Sequence, residues 1–184
     1  MPYTILILVF SLWLSPPAAA DWNPFNKEKR QEEDTKVSEI IAAFKRKDSN
    51  LEKFFTEAYG YAVFPTVGKA GVGIGGAYGK GGGSQKGKRI GTAALKQISI
   101  GFQLGGQAYS EILFFKDKET LDAFTRDTYE LSAQASAVAV KAGASTQAVY
   151  DNGLAIFTMA KGGLMYEATV AGQKFSYDAS KEND

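Results

Sequence analysis

The chain predicts an α+β fold: a strongly curved antiparallel sheet, partial-barrel-like and glycine-rich, with amino-terminal amphipathic helices and one short helix near 117–128. Three observations predict it. Apolar residues recur at helical spacing from Val37 to Ala58, the period becomes two from Tyr61 onward, and one face of the first alternating stretch is almost entirely glycine. A strand face without side chains suits tight curvature, or a neighbouring layer resting directly on backbone.

The elements follow in order. Residues 1–20 carry no charged side chain, and Ile5 to Leu14 is apolar except for Ser11. That run of about ten residues is shorter than the roughly 20 that a spanning helix needs. Ala18 and Ala20 supply small residues for a cleavage site, so the segment reads as a signal peptide cut near Ala20–Asp21. The chain is then expected to be exported and periplasmic or associated with the cell envelope. Residues 21–36 form a charged lead-in, 37–178 a single domain and 179–184 a polar tail.

Val37, Ile40, Ile41 and Phe44 recur at i, i+3, i+4 and i+7, and after Lys45 to Asp48 the pattern returns as Leu51, Phe54, Phe55 and Ala58. Ser49 and Glu52 have the spacing of a capping box at the start of a second helix. Such a stripe faces a core or docks on a membrane. From Gly71 to Gly79, Val72, Ile74 and Tyr78 fall on one face and the glycines on the other, which reads as one strand. Alternation returns from Ile98 to Ala108 and runs into Ile112–Phe115. Asp117 to Thr128 reads as a short helix capped by Asp117, with Leu121 and Phe124 on its inner face. The alternating Leu131, Ala133, Ala135, Ala137 and Ala139 suggest a further strand. Asp151-Asn152-Gly153 and Lys161-Gly162-Gly163 mark turns around Leu154–Phe157, and alternation from Leu164 to Val170 completes an antiparallel meander pattern. A short apolar strand before a Lys-x-Gly turn occurs twice, at 62–71 and 155–163, which is a hairpin reused and not a solenoid.

Composition removes most chemistry. With no His and no Cys the chain cannot build the usual zinc sites, a Ser-His pair or a cysteine nucleophile, nor can it form disulfides. Gly71 to Gly76 fits G-x-G-x-x-G, yet it lies within an alternating strand, and the next acid is Glu111, too far on to hold a ribose. Gly82 to Lys88 fits the glycines and lysine of a phosphate loop, but Arg89 stands where a Ser or Thr must reach magnesium, so Gly79 to Gly87 reads as a hairpin loop. No cofactor, metal or nucleic-acid partner is expected. Glu111, Asp117, Asp122 and Asp127 are the carboxylates open to acid–base work, which requires two of them to flank one cleft.

Charge is more informative. No Asp or Glu occurs from Ala58 to Ser110, whereas Lys69, Lys80, Lys86, Lys88, Arg89 and Lys96 all do. A basic side of this kind attracts anions such as phospholipid headgroups, or simply stays solvated.

Tyr61-Ala62-Val63-Phe64-Pro65, the run Gly68 to Gly81, Ile100 to Gln107, Leu121-Asp122-Ala123-Phe124 and Lys161-Gly162-Gly163-Leu164, in that order, resemble the SYLF domain family over about residues 38–178. The resemblance implies a lipid-binding module; eukaryotic members bind phosphoinositides partly through an amphipathic helix, and some bind actin filaments. A signal peptide directs this chain away from cytosolic partners, which leaves the membrane lipid. The expected function is therefore non-enzymatic peripheral binding to an anionic phospholipid surface. Lys69, Lys80, Lys86, Lys88 and Arg89 would contact headgroups, and Val37, Ile40, Ile41 and Phe44 would form a membrane-contact helix. The alternative is an envelope scaffold binding an acidic protein partner.

Overall fold

A computed structural model describes residues 24–72, 74–100, 106–126, 128–140, 150–161 and 170–179. The leader, Asp127, the turn at 162–163, the alternation at 164–168 and residues 180–184 lie outside them. Helices α1 (Pro24–Lys47) and α2 (Leu51–Glu57) precede strands β1 (Gly60–Val72), β2 (Ile74–Gln85), β3 (Lys88–Ile100) and β4 (Gly106–Phe115). Helix α3 (Lys118–Thr125) follows, then β5 (Thr128–Glu130), β6 (Val138–Ala139), β7 (Leu154–Ala160) and β8 (Lys174–Asp178). Among the described residues no helix is long and apolar enough to cross a membrane.

The eight strands form one sheet in the order β5-β8-β3-β2-β1-β4-β7-β6, antiparallel except for the β6–β7 pair, and curled into a half-barrel. The curl follows from where the rings meet. Phe64 on β1 and Phe175 on β8 lie three strand spacings apart, roughly 14 Å in a flat sheet, yet their ring centroids are 5.5 Å apart. The strand between them allows this. A Cβ on Gly81 would sit 2.8 Å from the Phe64 ring and collide with the Val63 carbonyl oxygen, and one on Gly79 would sit 2.9 Å from a Val67 methyl. Side chains of β1 therefore fill the space that β2 leaves empty, which is the close approach expected of a glycine-lined strand face.

The two faces of the sheet bury separate cores. The inner core gathers Phe64, Val67, Leu95, Leu113, Phe115 and Phe175, closed by Leu121 and Phe124 of α3. Asp117 caps α3 as expected, its side chain accepting from the Thr120 N–H at 2.9 Å, and the helix ends at Thr125. The outer core joins Val63, Ile112, Phe114 and Phe157 to Phe44, Leu51 and the half-buried Val37, Ile40 and Ile41 of the two helices. Phe54 and Phe55 meet Phe157 and Phe114 edge-on at 4.9 and 4.8 Å.

Several local expectations are corrected. Gly71 to Gly79 is a hairpin, with β1 ending at Val72 and β2 starting at Ile74, and Ile98 to Phe115 is split between β3 and β4. Residues 79–85 are strand, and the turn is only Lys86 and Gly87, both at positive φ. Of the expected strand at 131–139 only Val138–Ala139 is strand; residues 133–134 form a turn and 131–132 and 135–137 have no regular structure, alanine supplying no β-branched surface to hold a strand. Ser49 does not cap α2; Asn50 holds that position, and the Asp48 side chain accepts from the Asn50 N–H at 2.9 Å. The order is not a simple meander, since β4 returns beside β1. The Asn152-Gly153 turn forms as expected, both residues at positive φ ahead of β7.

Candidate outer-face docking site

The outer face is covered only in part. Direct pairing fixes which residues share it: Tyr78 lies opposite Lys96 and Gly68, Gly76 opposite Ile98 and Ala70, and Lys80 opposite Thr66 and Ala94. Helices α1 and α2 cover this face at β1, β4 and β7. Beyond them, toward the ends of β2 and β3, no element among the described residues covers it. Ile98 is 83% exposed, Ile74 70% and Tyr78 48%, and these are the exposed large hydrophobic residues among those described. Next to them is a shallow depression whose floor includes Gly68, Ala70, Gly76 and Ala108, with Tyr78 and Lys161 at its sides. A Cβ on Gly68 or Gly106 would meet nothing within 4 Å, so this floor faces open space. Lys96 and Lys80 flank the patch, both exposed.

The expected basic residues do not form one site. Lys80 lies on the outer face between the bare patch and α1. Lys86 and Lys88 stand at the β2–β3 turn, about 40 Å along the strands from Ile74 at 3.3 Å per residue. Lys69 pairs with Ala77, a residue of the inner core, and burial pulls its pKa below the usual lysine range. Arg89 is engaged within the chain. Its guanidinium reaches Glu33 at 3.2 Å and Asp34 more closely still, which fastens the charged half of α1 to β3. The stripe Val37, Ile40, Ile41 and Phe44 lies against the sheet, with Phe44 fully buried.

The carboxylates are placed apart. Glu111 is fully buried on the inner face, where its carboxylate accepts from the Gln173 side-chain amide at 3.0 Å; that amide also donates to the Tyr109 hydroxyl at 3.1 Å. Burial pushes the Glu111 pKa up to about 8. Hydrogen bonds from Thr120 hold Asp117 below the usual range, and Asp122 pairs with Lys118. Asp127 lies outside the described residues. Among those residues no group of three or more potential metal ligands is assembled.

Ile74, Tyr78 and Ile98 were not legible as a site from periodicity. Alternation places them on one face, but it does not say whether another layer covers that face. The available signal was the neighbouring lysines on the same parity, Lys80 and Lys96.

Residues 96–184 match the family model described as Ysc84, Las17-binding protein actin regulator. The chain is also 28% identical over 163 residues to Beta cell expansion factor A of Aeromonas veronii, covering 83% of this chain and 58% of that protein. It thus spans less than two thirds of the length of that curated relative. The family match begins at Lys96 in β3 and includes Ile98, while Ile74 and Tyr78, opposite Ile100 and Lys96, lie on the preceding strand. The family's members are lipid-binding or actin-regulatory modules. The carboxy-terminal part of the chain is thus similar to the Ysc84 (SYLF) family, the one that the glycine-rich motifs resemble.

Proposed function

We propose that the chain is a non-enzymatic peripheral phospholipid-binding module of the bacterial periplasm or cell envelope, and that it docks on an anionic bilayer with the bare outer face of β2 and β3. The observation that carries this reading is the cluster of Ile74, Tyr78 and Ile98, exposed beside Lys80 and Lys96 and free of any covering element among the described residues. Exposed apolar side chains grouped on one face mark an interaction surface. Each isoleucine entering the headgroup boundary contributes up to about 2 kcal/mol, and each nearby lysine about 1 kcal/mol against an anionic leaflet. The apolar stripe of α1 is occupied by the sheet, so the strand face and not the helix supplies the grip. Export through the amino-terminal leader is part of the proposal.

Cosedimentation with neutral and anionic vesicles tests it. Binding to anionic vesicles that weakens with salt is expected; no binding to any vesicle overturns the reading, and salt-independent binding removes the role of the lysines. A second reading is favoured by the family description, which names a protein, Las17, as what is bound. The same face would then hold an acidic protein, and a stoichiometric complex in the absence of vesicle binding supports that alternative.

A further inference from the structure

The charged half of α1 does not pack flush on the sheet. Over β2, β3 and β8 the outer face includes Gly82, Thr92, Ala94 and Ser176, whose side chains are too short to fill the space under a helix, with Lys80 and Asp178 beside them. The helix presents Lys29, Arg30, Glu33 and Lys36 there, one face by their i, i+1, i+4, i+7 spacing. A groove of about 940 Å³ remains between the two walls. Lys29, Arg30 and Lys36 from α1 and Lys80 and Arg89 from the sheet line it together with Glu33 and Asp178; Lys36 is paired with Glu32 at 2.6 Å, and Lys29 and Lys80 face each other from the two walls. Glu33 and Asp34 fix the Arg89 guanidinium in place, and its buried Nε has no hydrogen-bond partner among the described residues. A buried donor of this kind is one that a ligand oxygen would satisfy.

We infer that this groove is an anion-binding site for a phosphate ester, held between the α1 lysines and Lys80, with Arg89 at its base. A phosphate monoester carries more than one negative charge and several acceptor oxygens, which suits cations converging from two walls. The small floor sets the size of what enters, and the paired Arg89 sets the depth. The site shares Lys80 with the flank of the apolar patch but none of Ile74, Tyr78 and Ile98, so it does not depend on membrane docking.

Calorimetric titration of the full chain with inorganic pyrophosphate tests it. Saturable binding is expected, weakened more than about tenfold in a Lys29→Gln/Lys80→Gln variant. A Lys53→Gln/Lys116→Gln variant, which loses the same charge away from the groove, should stay within about twofold. Absence of saturable binding, or equal weakening in both variants, overturns the inference. An Ile74→Asp/Ile98→Asp variant, which removes the proposed membrane contact, should bind pyrophosphate normally, so the two proposals fail separately. Vesicles containing phosphatidic acid identify the source. Displacement of the chain by pyrophosphate assigns the groove to a lipid headgroup, and pyrophosphate binding without displacement assigns it to a soluble phosphate ester.

Discussion

The inner face of strand β2 is almost bare of side chains while its outer face carries Ile74, Tyr78 and Lys80, and the glycines of the two faces serve opposite ends. On the inner face Gly79 and Gly81 are filled from the neighbouring strand by Val67 and Phe64, and the sheet curls around the contact. On the outer face Gly76 of β2 and Gly68 beside it form the floor of an open depression next to exposed isoleucines. The same residue type thus closes a core on one side and clears a surface on the other. What distinguishes them is whether a larger side chain on the adjacent strand leans over the gap.

The largest effect expected from this contrast is on stability. Gly81→Ala places a methyl group against the Val63 carbonyl and the Phe64 ring, neither of which can retreat without opening the curl. A loss of about 3 kcal/mol or more is expected in urea denaturation. Gly68→Ala adds its methyl to open space and should change stability by less than about 0.5 kcal/mol. Equal effects would break the comparison between the faces.

A smaller effect concerns the polar group sealed inside. Glu111 is held in the inner core with its pKa raised to about 8 by burial, against an ordinary 4.5. A carboxylic acid that holds its proton more tightly when folded favours the folded state most below pH 4.5; the advantage falls as pH rises toward 8 and is gone above it. The native chain should therefore lose roughly 4 to 5 kcal/mol across that window relative to Glu111→Gln, whose difference in stability from the native chain grows with pH. A pH-independent difference between the two would mean that Glu111 is ionised in the core.

The contrast between faces also explains what the sequence made legible. Helical spacing located α1, α2 and α3, the Asp117 cap was readable from its position, and the glycine-lined face predicted curvature. The β1–β2 turn was hidden because Val72 and Ile74 keep the same parity on either side of Gly73, so alternation passes through the reversal unbroken. Residues 79–85 resembled a loop because close packing and flexibility ask for the same residue. β8 is only five residues long, and it pairs with β3 across more than 70 positions of sequence. The charge pattern misled in a similar way. An acid-free stretch from 58 to 110 suggested one basic face, but Glu33 and Asp34, more than 50 residues earlier, fold back onto Arg89. Charge balance along a chain says nothing of pairing across it.

That clasp predicts the smallest effect. Arg89 is only one-fifth exposed while its acidic partners are more open, so the coupling measured by a double-mutant cycle of Arg89→Ala with Glu33→Gln should be about 1 kcal/mol or less. A larger value would make the charged half of α1 a structural element of the sheet and not a wall resting over it.

The central claim is that a strand face, and not the helix stripe, meets the membrane. Because the chain has no cysteine, single Ile98→Cys and Val37→Cys variants can each carry one environment-sensitive fluorophore. On adding anionic vesicles, the label at 98 should shift to the emission of an apolar surrounding, while the label at 37, on the half-buried face of α1, should keep its spectrum. A shift at 37 with the label at 98 remaining in water would contradict the account and place the contact on α1.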